Sequence, residues 1–258
     1  GMEKSGNTWI RFVIYNYFNI LKEDAQKTLT FEELNKIQRH KLTLKKDINI
    51  LENMPTSVDF VGSITPFFKG FPVFYKTHEP YQESLGLFSR VIYIYRQPLD
   101  CLVSHYHFWK NRKIPFENFP EKWRDKLFDI NIFVLSVLPY WIRFHQTTVL
   151  PGRKKVFYDQ ARKHPEKVFL KMFQSLGMDP DPTVLARSIK YSSFENVTKM
   201  AKKTKQVYGN SNPEKFTGNF MRSGKTGQYT EELTQNTIDR AIHTLRDAGI
   251  SENIIFPD

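Results

Sequence analysis

The chain has 258 residues, 40% hydrophobic and 15% aromatic, which suits one sizeable domain with a buried core and excludes a fibrous or disordered chain. Lys and Arg number 38 against 27 Asp and Glu, a formal net charge of +11, so an anionic ligand or partner is expected, although nucleotides, nucleic acid, sulfated glycans and membranes all satisfy that. The single cysteine, Cys101, excludes an intrachain disulfide framework and fits a reducing, cytoplasmic location. The most apolar run, 132–142, is too short for a membrane span, and no signal peptide is expected.

In chain order, Gly1-Met2-Glu3-Lys4-Ser5-Gly6-Asn7-Thr8 comes first and follows the G-x-x-x-x-G-K-[ST] phosphate loop, with Asn7 where the lysine belongs. The stretch is open between an ordinary turn and a phosphate cradle. As a cradle it presents backbone N–H groups and a helix N-terminus to an anion, but it lacks the lysine that reaches the outer phosphates of a nucleoside triphosphate. Such a loop needs a strand before it, expected to precede Gly1. Trp9, Ile10, Phe12, Val13, Tyr15, Phe18 and Ile20 predict a helix packed on a sheet. Thr30-Phe31-Glu32-Glu33 is a capping box opening a second, short helix. Strands are expected over 71–75, 91–95 and 155–158, the middle one an apolar run of the kind covered on both faces in a parallel sheet. Pro98 and Asp100 suit the first turn of a helix running to about Lys110, and the aromatic stretch 116–146 is mostly helical in pattern. Further helices are expected over 165–176, closed by Gly177, over 184–189, over 194–200 and over 230–246. Strands alternating with helices predict a single α/β domain over 1–258, a central parallel sheet flanked by helices.

In open parallel sheets ligands bind beyond the carboxyl ends of the strands. The residues there are Lys4 to Thr8, Lys76 to His78, Arg96, and Tyr158 with Asp159. A phosphate loop, two lysines, an arginine and a histidine on one rim suit an anionic substrate with a proton to remove. Taken singly, Lys76 and Arg96 read as surface cations, and Trp9 as core. His105 and His107 read as packing or surface residues, and the lysines of 199–205 as a solvated face.

Lys4-Ser5-Gly6-Asn7-Thr8-Trp9, Lys76-Thr77-His78, Arg96 with Ser104, Phe157-Tyr158-Asp159, Ser192-Ser193-Phe194, and Phe220-Met221-Arg222-Ser223-Gly224 with Gly227 together resemble the successive motifs of the cytosolic-type sulfotransferase family, across nearly the whole chain. The resemblance implies a P-loop-like fold and transfer of a sulfuryl group from 3′-phosphoadenosine 5′-phosphosulfate (PAPS) to a hydroxyl or amine, with no metal. It implies that Lys4, Ser5, Gly6, Asn7 and Thr8 hold the 5′-phosphosulfate, with Lys4 stabilising the leaving oxygen and Lys76 beside the transferred group. It also implies that Trp9, Ser192, Ser193 and Phe194 lie near adenine and that Tyr158 lines the nucleotide pocket. Arg96, Ser104, Arg222, Ser223 and Gly224 would bind the 3′-phosphate, and His78 would be the base. Ser223 stands in place of the family's usual lysine, Gln228-Tyr229 in place of its Asp-Trp, and its dimerisation motif is not recognisable after Thr230. The acceptor expected is a small molecule, glycan or lipid hydroxyl, with no nucleic acid partner. The rival readings are a nucleoside-kinase-like phosphotransferase and a non-catalytic polyanion-binding module.

Overall fold

The computed structural model describes residues 2, 4–23, 25–37, 90–111, 128–149, 154–204 and 224–257. Helix α1 (Asn7–Glu23) begins inside the phosphate loop, and α2 (Phe31–Ile37) follows it. The expected capping box is formed: the Glu33 N–H donates to Thr30 Oγ1 at 3.1 Å, and Glu33 Oε2 accepts from the Thr30 N–H at 2.7 Å. The expected strand 71–75 lies outside the described residues.

Strand β1 (Ile92–Tyr95) pairs in parallel with β2 (Lys154–Phe157), Tyr95 opposite Phe157. Helices α3 (Pro98–Lys110) and α4 (Ile130–Thr148) lie between them in sequence. Alternation along β1 sends Ile92 and Ile94, with Val156 of β2, into a cluster with α1, while Tyr93 and Tyr95 enter a second cluster with α3 and α4. The sheet is thus covered on both faces, as its apolar run requires. The expected strand 155–158 ends one residue early, because Tyr158 opens helix α5 (Tyr158–Lys163).

Helices α6 (Pro165–Ser175), α7 (Pro182–Tyr191) and α8 (Phe194–Thr204) complete the first cluster. Beyond α6 the N–H of Met178 bonds to Phe173 O and that of Gly177 to Gln174 O, the C-cap expected at Gly177. Asp181, accepting from the Val184 N–H at 2.9 Å, starts α7 earlier than the expected 184. The closing helix expected over 230–246 is two: α9 (Tyr229–Glu232) and α10 (Gln235–Asp247), before α11 (Glu252–Ile255). The break has a local cause. Thr234 is extended and caps α10, its Oγ1 accepting from the Thr237 N–H at 3.3 Å.

Candidate active site

Parallel pairing sets the C-terminal ends of β1 and β2 side by side, so Arg96 and Tyr158, the residues that follow them, meet: the guanidinium carbon lies 5.0 Å from the ring centroid. The same Tyr158 ring packs on the phosphate loop at Gly6. A Cβ there would fall 2.2 Å from Tyr158 Cδ2, and φ is +94°, so only glycine fits. Lys4 also has a left-handed backbone, φ +66°, which is uncommon for a residue with a Cβ and turns its side chain out of the loop, where Nζ lies 4.8 Å from the Phe108 ring centroid. Ser5 is buried with Oγ 3.6 Å from Cys101 Sγ, which anchors the loop on α3. Asn7 donates from Nδ2 to the Met2 carbonyl at 3.0 Å, closing the loop on itself where a triphosphate enzyme would extend a lysine. Trp9 is buried edge-on to Tyr158 and Phe169, and its Nε1 has no hydrogen-bond partner.

Arg96 is 7% exposed. Its Nη2 donates to the Lys225 carbonyl at 2.8 Å and lies 3.6 Å from Asp100 Oδ2, while its Nε is buried without a partner. The chain's C-terminal segment is thereby drawn onto the rim. Gly224, at φ +66°, packs against Phe194, where a Cβ would come within 2.6 Å of the ring. From Lys4 to Phe194 the described members of the site form one connected line: loop, Tyr158, Arg96, Lys225 and Gly224, Phe194. An unpartnered guanidinium nitrogen, an unpartnered indole N–H and a phosphate loop open to an anion fit a phosphorylated adenine nucleotide.

Other expected residues have contacts of their own. Ser104 is half-buried on α3, one turn beyond Asp100. Ser192 is fully buried, accepting from Asn16 Nδ2 at 2.9 Å and donating to the Ser188 carbonyl at 2.7 Å. Ser193 caps α8 by accepting from the Asn196 N–H at 3.2 Å. Lys76, His78, Arg222 and Ser223 lie outside the described residues. His105 packs among Trp109 and Phe133, and His107 pairs with Glu232, in keeping with the packing and surface roles read for them.

Two acidic residues carry more of the site than their motifs announced. Asp100, read only as a helix-start charge, has both carboxylate oxygens engaged by the C-terminal segment. Asp159 accepts from the Gln97 N–H at 2.9 Å and so holds the turn between β1 and α3. Burial pushes the Asp159 carboxyl up, against the opposing pull of that N–H and of the Arg96 charge. A carboxylate just past the end of a strand, as Asp159 is, was the available signal. Among the described residues no group of three or more His, Cys, Asp or Glu could hold a metal ion, and no helix is long and apolar enough to cross a membrane.

An α/β framework with a phosphate loop and a buried arginine on the carboxyl rim of its parallel strands is that of a nucleotide-binding α/β protein. A sequence model of the sulfotransferase domain matches residues 1–248, and the chain therefore belongs to the sulfotransferase family: it is a PAPS-dependent enzyme of sulfuryl transfer. Similar proteins include sulfotransferase 1A1 of Bos taurus, 24% identical over 95% of this chain and 81% of that protein. Another is flavonol 4′-sulfotransferase of Flaveria chlorifolia, 27% identical over 93% and 75%. The fold is similar to the crystal structure of mouse sulfotransferase SULT7A1 complexed with PAP, with a TM-score of 0.60 and 19% identity over 98% of this chain and 84% of that one.

Proposed function

We propose that the chain acts as one sulfotransferase domain in which the line from Lys4 to Phe194 holds PAPS and His78 activates the acceptor, a small-molecule hydroxyl. The observation that carries the donor assignment is the contact of Tyr158 with both Gly6 and Arg96, which joins the phosphate loop to the one buried arginine of the rim among the described residues. When bound, PAPS supplies an activated sulfuryl group. The backbone N–H groups at the start of α1 would hold its 5′-phosphate, and Lys4 would supply positive charge beside the leaving group. Arg96, whose Nε is unpartnered, would hold the 3′-phosphate together with Ser104, Arg222, Ser223 and Gly224. Trp9, Ser193 and Phe194 flank the base, while Ser192 supports them from behind by fixing the turn between α7 and α8. His78 takes the proton of the acceptor hydroxyl as it attacks, with Lys76 beside the transferring group. The name of the flavonol relative makes a phenolic hydroxyl the first acceptor class to try.

The test is turnover of PAPS against a panel of phenols, read as sulfated product by mass. His78→Ala should lower transfer by about a hundredfold or more, the usual size of a lost general base. Its affinity for the product nucleotide, adenosine 3′,5′-bisphosphate, should stay unchanged. Transfer at the wild-type rate by this variant would remove His78 from the mechanism.

A further inference from the structure

Asp100 is placed unlike an ordinary helix-start carboxylate. Such a residue accepts from N–H groups of its own first turn, but the first turn of α3 is served by Gln97, whose Oε1 accepts from the Asp100 N–H at 2.6 Å. The Asp100 side chain is fully buried and points instead at chain 127 and 129 residues away. Oδ2 accepts from the Gly227 N–H at 2.6 Å and Oδ1 from the Tyr229 N–H at 3.2 Å. Oδ2 also faces Arg96 Nη2 at 3.6 Å, and that same nitrogen donates to the Lys225 carbonyl. Arg96, Asp100 and residues 225–229 thus form a closed ring of charge-assisted contacts, with Gly224 seated on Phe194 at its far end.

We propose that Asp100 is a positioning residue for the 3′-phosphate end of the donor site: it touches no ligand, but sets Arg96 and the turn over residues 224–229 in register with each other. This rests on the donor reading above. Coulomb attraction holds Arg96 in one orientation, and the two accepted N–H groups stop the 224–229 turn from lifting off α3. A carboxylate is needed because both of its oxygens accept. An amide in its place would keep one acceptor, oppose an N–H donor with its own NH2, and leave Arg96 without its counter-charge.

The prediction is a selective loss. Calorimetric titrations of wild type and Asp100→Asn with adenosine 3′,5′-bisphosphate and with adenosine 5′-monophosphate separate the 3′-phosphate from the rest of the nucleotide. Wild type should prefer the bisphosphate; Asp100→Asn should bind it about tenfold or more weakly, the scale of one charged hydrogen bond, and keep its affinity for the monophosphate within about threefold. Equal losses for both ligands would reduce Asp100 to a general structural role and overturn the proposal. If Asp100→Asn shows no cooperative melting, Asp100→Glu decides instead: it keeps the carboxylate charge but moves its oxygens off the Gly227 and Tyr229 N–H groups, and should cost the bisphosphate alone about threefold. An unchanged preference in that variant would also overturn the proposal. A wild type that does not distinguish the two nucleotides would instead overturn the donor reading, and the role of Asp100 with it.

Discussion

His145, near the end of α4, shows how one residue couples the aromatic core to pH. Its ring stacks on Trp141 at 5.0 Å, meets Tyr93 and Tyr95 edge-on, and has Nδ1 3.4 Å from the Tyr93 hydroxyl. Burial, with a smaller contribution from the Lys155 charge, lowers its pKa from 6.5 to about 4. The neutral ring is therefore the folded form, and the unfolded chain binds the proton more tightly. Stability from this group is complete above pH 6.5 and is lost as pH falls toward 4, by about 3 kcal/mol at roughly 1.4 kcal/mol per pKa unit. Melting temperatures measured at pH 7.0 and 4.5 should fall further for wild type than for His145→Gln. Equal falls would show that His145 is not the titrating group. At the same scale, Gly6 and Asn7 are readable as a phosphate loop, but that Gly6 lies beneath Tyr158 is not, since 152 positions separate them.

Elements with strong local signals are legible in the sequence alone. The capping box of α2, the proline-led start of α3 and the C-cap of α6 depend on contacts within one helical turn, so residue type and spacing suffice to place them. The break between α9 and α10 is not legible from apolar spacing, because Thr234 caps a helix inside a stretch of unbroken helical pattern. Nor is the clamp between α1 and α7. Asn16, fully buried in α1, accepts from the Leu29 N–H at 2.9 Å and donates to Ser192 Oγ at 2.9 Å and Thr28 Oγ1 at 3.3 Å. Asn16→Leu leaves a buried N–H and two hydroxyls short of a partner and should cost about 2–4 kcal/mol, read as a lower urea midpoint at unchanged slope. A loss under about 0.5 kcal/mol would show that water or rearrangement replaces these bonds.

For the whole molecule, the donor site draws on both hydrophobic clusters. Trp9 and Tyr158 belong to the one with α1, α6 and α7, and Tyr229, beside the 224–227 turn, packs on the one with α3, α4 and α10. A nucleotide spanning the rim would brace both. Adenosine 3′,5′-bisphosphate at a hundred times its Kd should add about 2.7 kcal/mol to stability, seen as a higher Tm that rises with ligand concentration. A melting temperature indifferent to the nucleotide would sink the donor assignment.

By itself the sequence determined the α/β class, the phosphate loop lacking its lysine, the helix boundaries with nearby caps, and an ordered set of motifs sufficient to recognise a sulfotransferase. Each rests on residue type and short spacing, which act through local geometry and periodic burial. Only the tertiary structure decided that Asp100 grips the C-terminal segment, that Arg96 spends one nitrogen on Lys225, and that Ser192 faces a helix junction. Those pairings join positions more than a hundred residues apart, and they are selected by how two clusters close on opposite faces of one pair of strands.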